Sequence, residues 1–406
     1  STFGSPNGGQ DFSTFRFGAI GIIWDDHNTA GLQDGGAGTW DTTTTRFWDT
    51  TLNAGAGGNR AFVSGDDVTF GAGGAGSATI NLDADVTVGD LAFQDGTTYT
   101  LAGHQLSVNG DIRAFNDATI ASNLYPIDNA GNDTEIFTDT GVTLTIAGTL
   151  TGPNGFDNVG LGTVRLTGNN AGYQGSIDID DNSTLRVEND LQTDPGAGDI
   201  QVQDAGTLYL ASTGHVGNVF VAASSGNKQL ITGEAGGTIE GTLDMRDGDA
   251  KISGNITVNG DAAIAHAEIS PGDSNAAGTL NFNNLALGAD ANYKWQLFSN
   301  SQTGAGTNFD QIAVANNLTQ DGTEPLTSGN EVNFGIEFHN DIDLTDSFWS
   351  SDHQWVVATV GGTNSLLADH FTIGDVDISD DLTGDNTAIG WAPSFSITTD
   401  GNNVFL

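Results

Sequence analysis

The 406-residue chain has no cysteine, which excludes disulfides, thiol chemistry and thiolate metal sites. Only 7 residues are proline, too few for a polyproline or collagen-like rod. Basic residues are almost as scarce: 10 Lys and Arg stand against 52 Asp and Glu, a formal net charge of −42, with none after Lys294. Such a field repels phosphate backbones and anionic bilayers, so neither nucleic acid nor membrane insertion is expected. No apolar run is long enough to span a membrane. The opening Ser1-Thr-Phe-Gly-Ser-Pro6 lacks a basic segment leading into an apolar one. It reads as the mature start of an exported, extracellular or cell-surface chain whose signal peptide has been removed.

What is present is glycine, 58 residues of it, with Ser, Thr, Asn and Asp, all suited to turns and exposed strand faces rather than helix interiors. Apolar residues come in twos and threes. Gly-Thr-(Leu/Ile/Val) recurs at 148–150, 162–164, 206–208, 237–239, 241–243 and 278–280. Short alternations accompany it: Thr143-Leu-Thr-Ile146, Thr163-Val-Arg-Leu166, Thr184-Leu-Arg-Val187 and Thr207-Leu-Tyr-Leu210, with anchors 19 to 23 residues apart. Period-2 alternation is the pattern of a half-buried strand. A repeat of about 20 residues holding two or three such strands suits one rung of a β-helix, because a rung alone cannot bury its apolar face and stacked rungs can. In Ile177-Asp-Ile-Asp180 the isoleucines are expected inward and the aspartates outward. Asn109-Gly110, Asn154-Gly155 and Asn259-Gly260 are expected to supply positive-φ corners. Some ten rungs would make a rod of roughly 50 Å. A β-sandwich is the competing arrangement for the middle of the chain.

The ends differ from the middle. Residues 1–60 hold Trp24, Trp40 and Trp48 and read as an extension with an aromatic cap over the last rung. Residues 61–290 read as the parallel β-helix. From about 291 the strands lengthen, as in Tyr293–Leu297, Val332–Phe338 and Trp355–Val360. Residues 291–406 therefore read as a C-terminal β-region, either sandwich-like or a broadened end of the solenoid.

Three parts of the chain resemble bacterial extracellular proteins with autotransporter-associated β-strand repeats. Gly38-Thr-Trp40 through Trp48, Asp66-Asp-Val-Thr-Phe70 and the segment 80–91 look like the family's N-terminal pattern. The segment 162–187, with Leu-Thr-Gly-Asn and Tyr-x-Gly, resembles its repeat. Ser270-Pro-Gly-Asp273, Gly278-Thr-Leu280, Trp295-Gln-Leu297, Asp310-Gln-Ile312 and the segment 395–406 are similar to its C-terminal region. The resemblance implies an all-β, right-handed parallel β-helix, secreted or surface-displayed and passenger-like, and says little about chemistry. An outer-membrane barrel and a C-terminal sorting tail are not within these 406 residues.

Parallel β-helices also carry polysaccharide lyases and glycosidases, whose sites combine paired carboxylates with a nearby Arg or Lys. Carboxylates are everywhere here and bases are rare, so a non-enzymatic chain is expected. The histidines do not cluster; Asp352-His353 and His339-Asn-Asp341 come closest and read as surface residues. Calcium is the one cofactor the residues suggest. Asp178, Asp180 and Asp181, then Asp341, Asp343 and Asp346, then Asp375, Asp377, Asp380 and Asp381 gather oxygens of the kind Ca²⁺ takes. No EF-hand loop occurs, and Gly35-Gly-Ala-Gly-Thr-Trp40 puts Trp where the calcium nonapeptide needs Asp.

The leading functional reading is a structural one: the chain partners itself, head to tail, in a surface filament, sheath or matrix. Its assembly interface would be Phe15, Phe17, Ile20, Ile22 and Ile23, donated as a strand, meeting Val404, Phe405 and Leu406. The alternative is a monomeric adhesin-like passenger binding glycans or surfaces through Thr, Asn and Asp ladders. A β-helix carbohydrate enzyme is the third.

Overall fold

In a computed structural model the chain is an all-β solenoid with three parallel ladders stacked around one core. The structure describes residues 21–25, 36–71, 76–94, 96–127, 133–194, 196–222, 228–246, 250–339, 342–377 and 394–406. A rung runs across face I, turns onto face II, turns again onto face III, and returns one strand spacing further along. Thr97–Gly103, Leu106–Val108 and Ile112–Ala114 form one such rung.

Face I is a 14-stranded ladder from Gly38–Trp40 to Phe371–Asp377, parallel at every step. At about 4.8 Å per strand its length is roughly 60 Å, longer than the ten rungs read from the sequence. Face III runs from Ile22–Trp24 through Ile112–Ala114, Phe156–Gly160, Ile177–Ile179 and Leu243–Met245 to Leu318–Gln320. Face II is the thinnest. It begins as Val86–Val88, Leu106–Val108 and Leu124–Pro126 and thins to the single bridges Leu124↔Leu150 and Asn170↔Leu191. It resumes as two-residue strands such as His215–Val216 and Thr238–Ile239.

The inward positions explain the stack. On face I Leu101, Ile120, Ile146, Leu166, Val187 and Leu210 lie one above another, each at most 1% exposed. Their spacing, 19 to 26 residues, is the rung length. Burying each such side chain contributes roughly 1.5–3 kcal/mol, and no rung collects enough alone. One hydrophobic core therefore runs from Ile22 to Leu406. Parallel pairing throughout the middle excludes the β-sandwich there.

Corner glycines act differently from the expectation. Gly110, Gly155 and Gly260 do not have positive φ. A Cβ on Gly110 would sit 2.2 Å from Asp90 Oδ1, and one on Gly260 only 2.0 Å from the Gly241 carbonyl. Close approach of stacked corners, not a left-handed turn, requires glycine at these sites. Some left-handed corners are instead made by Asp181, Asn182, Asp204 and Ala205.

Both ends break the parallel rule. Near the N-terminus Ile22–Trp24 pairs antiparallel with Phe47–Asp49, which pairs antiparallel with Gly58–Arg60. Trp24, Trp40, Phe47, Phe62 and Phe70 pack beneath, with Trp40 and Phe62 ring centroids 5.1 Å apart. This is the aromatic cap anticipated from the tryptophans. Toward the C-terminus the rung swells to 41 and 39 residues between the stacked face I residues Tyr293, Phe334 and Ile373. The extra length goes into loops while the strands stay parallel, so the region is a broadened end of the solenoid. The ladders still face each other across the core: Tyr293 Oη on face I donates to the Val357 carbonyl on face II at 2.8 Å. Asn403–Phe405 then closes face II, antiparallel to both Val356–Val360 and Thr398–Thr399.

Candidate functional site: the lateral faces

With inward positions given over to the core, function falls to the outward ones, and face III carries two contrasting arrangements. The first is a column of carboxylates. Asp67, Asp90 and Asp111 precede successive strands, and Glu135, Asp157 and Asp178 continue the column on the next three. The carboxylates also tie the rungs together. Asp67 Oδ1 accepts the Asp90 amide at 2.9 Å, Asp90 Oδ1 that of Asp111 at 3.0 Å, and Asp111 Oδ1 that of Glu135 at 3.3 Å. Arg113 neutralises one member, donating to Asp111 at 2.7 Å. Burial, followed by the charges of Asp178, Asp133, Asp180 and Glu135, pushes Asp157 up to about 7. Burial and the neighbouring Asp178, Asp181 and Asp204 push Asp180 up to about 7 as well. Asp180 Oδ2 accepts from Gln203 at 3.1 Å, while its buried Oδ1 has no hydrogen-bond partner among the described residues.

The second arrangement lies further along the same face. Beyond Asp178 the outward column reads Gln201, Phe220, Asp244, Ala263, Ala286 and Thr319, in register. The two alanines open a groove of about 580 Å³. One wall is a corner ladder in which Asn284 Nδ2 donates to Asp261 Oδ1 at 2.9 Å and Asn317 Nδ2 to Asn284 Oδ1 at 3.2 Å. On the other side Arg246 donates to Asp244 Oδ1 at 2.8 Å and to Thr323 Oγ1 at 2.8 Å. A second depression of about 470 Å³ follows, lined by Phe220, Arg246 and Glu324 among others.

Face I is different again. Thr79, Thr100, Thr119 and Thr145 stack as one hydroxyl column, which passes into Arg165, Arg186 and Tyr209. Glu188 receives Arg165 at 2.6 and 2.9 Å and Arg186 at 2.6 Å. These charge-assisted bonds hold its carboxyl down at about 2.

The calcium candidates are dispersed. Asp178 points outward between buried Ile177 and Ile179, as the alternation required, with Asp180 and Asp181 in the turn that follows. Asp343 accepts the Thr345 amide at 2.8 Å, and Asp346 caps the 3₁₀ turn Ser347–Ser350 by accepting from Phe348 at 2.7 Å. Asp375 and Asp377 are exposed on the last strand of face I. Asp341, Asp380 and Asp381 lie outside the described residues. Among the described residues no three His, Asp or Glu side chains are arranged to hold a metal ion. His339 stacks on Phe298 and His353 on Phe348, so each is packed against an aromatic ring.

Of the assembly residues, Phe15, Phe17 and Ile20 lie outside the described residues. Ile22 pairs with Val68 and Ile23 with Trp48 in their own chain's ladder, so these two are already engaged. Val404 and Leu406 are buried, and Val404 and Phe405 belong to the closing antiparallel strand. The C-terminal motifs meet in space. Asp310 is fully buried, its Oδ1 accepts the Gly278 amide at 3.0 Å, and its carbonyl accepts the Trp295 indole at 2.8 Å. Burial lifts Asp310 to about 8, so it is largely a neutral acid at neutral pH. The motif pins one rung to the next.

Over 381 aligned residues, 84% of this chain, the sequence is 26% identical to "Adhesin BmaC autotransporter" of Brucella suis biovar 1 (strain 1330). The chain spans 10% of that protein's length. No protein-family model matches the chain, and no solved structure matches it. The three-ladder parallel solenoid, its aromatic cap and this likeness together fit a passenger-like β-helix, similar to part of that autotransporter adhesin.

Proposed function

We propose that the chain is an adhesin-like surface passenger, exported and non-enzymatic, whose lateral faces bind glycans or other surfaces. The likeness to an autotransporter adhesin along 84% of the chain carries this reading. Among the described residues no helix is long and apolar enough to cross a membrane. On face II the antiparallel strand Asn403–Phe405 replaces a parallel edge, while face I ends on the parallel strand Phe371–Asp377. The likeness to an adhesin ranks adhesion by single rods ahead of the filament expected from the sequence.

The test is to display the chain on a non-adherent bacterium and to image the purified chain by negative stain, with and without Ca²⁺. Adherence to host cells or matrix above the empty-display control, with isolated rods on the grid, is the expected result. Regular polymers whose repeat equals the rod length would return the filament to first place. Rods that adhere to nothing would overturn the adhesin reading.

A further inference from the structure

We propose that the face III groove floored by Ala263 and Ala286 is a binding subsite for a neutral oligosaccharide lying along the solenoid axis. The inference rests on the adhesin-like reading and assigns it a site. Upstream on the same column, outward positions carry Asp157, Asp178, Gln201 and Phe220; here two successive rungs carry only a methyl group. The resulting depression, about 580 Å³, falls within the range of ligand sites, about 300–1,000 Å³.

Its chemistry selects a ligand that is apolar on its faces and polar around its rim. The floor is the methyl groups of Ala263 and Ala286, and Asp244, held by Arg246, and then the ring of Phe220 close one end. The corner wall offers the amides of Asn284 and Asn317, each with one N–H used in the ladder and a second remaining, beside the acceptor oxygens of Asp261. Opposite them Arg246 is held by Asp244 and Thr323, a fixed array of donors and acceptors. Sugar rings present C–H faces and rim hydroxyls in that arrangement.

Charge narrows the class. Arg246 is already matched by Asp244 and lies 3.9 Å from Asp321, leaving Asp261 as surplus negative charge in the groove of a chain of net −42. Uronates and sialic acids would meet repulsion, and neutral sugars would not. An extended polypeptide fits less well. Recognition of a strand requires a free sheet edge, and the floor strands Thr257–Ile264 and Thr279–Leu287 are central, paired on both sides.

The experiment uses the full chain on a printed array of neutral, sialylated and uronate-containing oligosaccharides, alongside cell adherence. Ala286→Arg fills the floor from an outward position, and Phe220→Ala removes the ring without adding bulk; thermal melts confirm that both fold. Expected is binding to neutral oligosaccharides, at least about tenfold weaker in both variants. Neutral-glycan binding unchanged in both variants overturns the groove while leaving adhesion intact. Selective binding of acidic glycans overturns the ligand class. Adherence without any glycan binding, lost in Ala286→Arg, identifies a polypeptide occupant and also overturns it. Absence of all adherence removes the adhesin reading itself.

Discussion

The two halves of face III share a backbone and differ in everything that points away from it. Around residues 111–180 the outward column is carboxylate upon carboxylate; around 220–320 it is an aromatic ring, one carboxylate (Asp244) paired with Arg246, small residues and an amide-lined corner. Inward, both halves bury apolar side chains, Ile136, Ile177 and Ile179 in one and Met245, Ile264 and Leu287 in the other, although the first half also buries Thr134, Thr138 and Asn158. Strand alternation separates the two sets, so outward chemistry can change rung by rung while the fold stays the same.

If so, core truncations should cost the same in either half. Ile179→Ala and Ile264→Ala should each lose about 2–5 kcal/mol in urea denaturation, the largest effects expected here. A gap between them much above ~1 kcal/mol would mean the halves differ inside as well as out.

The pH response should separate them. Asp157 and Asp180 are raised to about 7, far above the ordinary aspartate value of 3.8. The folded chain therefore binds protons that the unfolded chain has released. Their stabilising contribution is full below pH 3.8 and is lost as pH rises through about 7. Lowered acids such as Asp49 and Glu188 act oppositely and lose their contribution as pH falls through their own folded values. Stability should thus rise on acidification from about pH 8 to 5 and fall again in stronger acid. Asp157→Asn should flatten that rise and add ~1 kcal/mol at pH 8, allowing for solvent screening. Melting curves that ignore pH between those limits would remove the acidic column as a source of strain.

Smaller effects test the other walls. Glu188→Gln, which leaves Arg165 and Arg186 without a carboxylate, should cost about 1 kcal/mol in chemical denaturation. Asp261→Asn should stay within ~0.5 kcal/mol of the parent, because the next ladder members, Asn284 and Asn317, already do the same work as amides. A loss well beyond that would show that the ladder needs its charge.

How much of this was legible beforehand follows from where the information sits. Thr143–Ile146, Thr163–Leu166, Thr184–Val187 and Thr207–Leu210 stood out in the sequence and stack in register residue for residue. Each carries its own alternation, so one rung suffices to recognise it. Toward the C-terminus face II was legible in Trp355–Val360, but in the middle it was missed because strands such as Asp190–Leu191 are too short to show a period. The recurring Gly-Thr-(Leu/Ile/Val) misled in a related way. It enters face I at 162–164, face II at 237–239 and face III at 241–243, so it marks corners rather than one face. The corner ladder and the groove exist only between rungs. Ala263 and Ala286 are unremarkable until the register places one over the other.

A stack of parallel strands has no intrinsic length, since each finished rung is a template for the next. Reversing the chain at Asn403–Phe405 withdraws that template on face II, and the strand laid against it, Thr398–Thr399, is two residues long. An edge so short and of opposite polarity gives an incoming chain almost nothing to copy. On face II, then, the stack carries its own stop, while on face I the last strand, Phe371–Asp377, still runs parallel to the one before it.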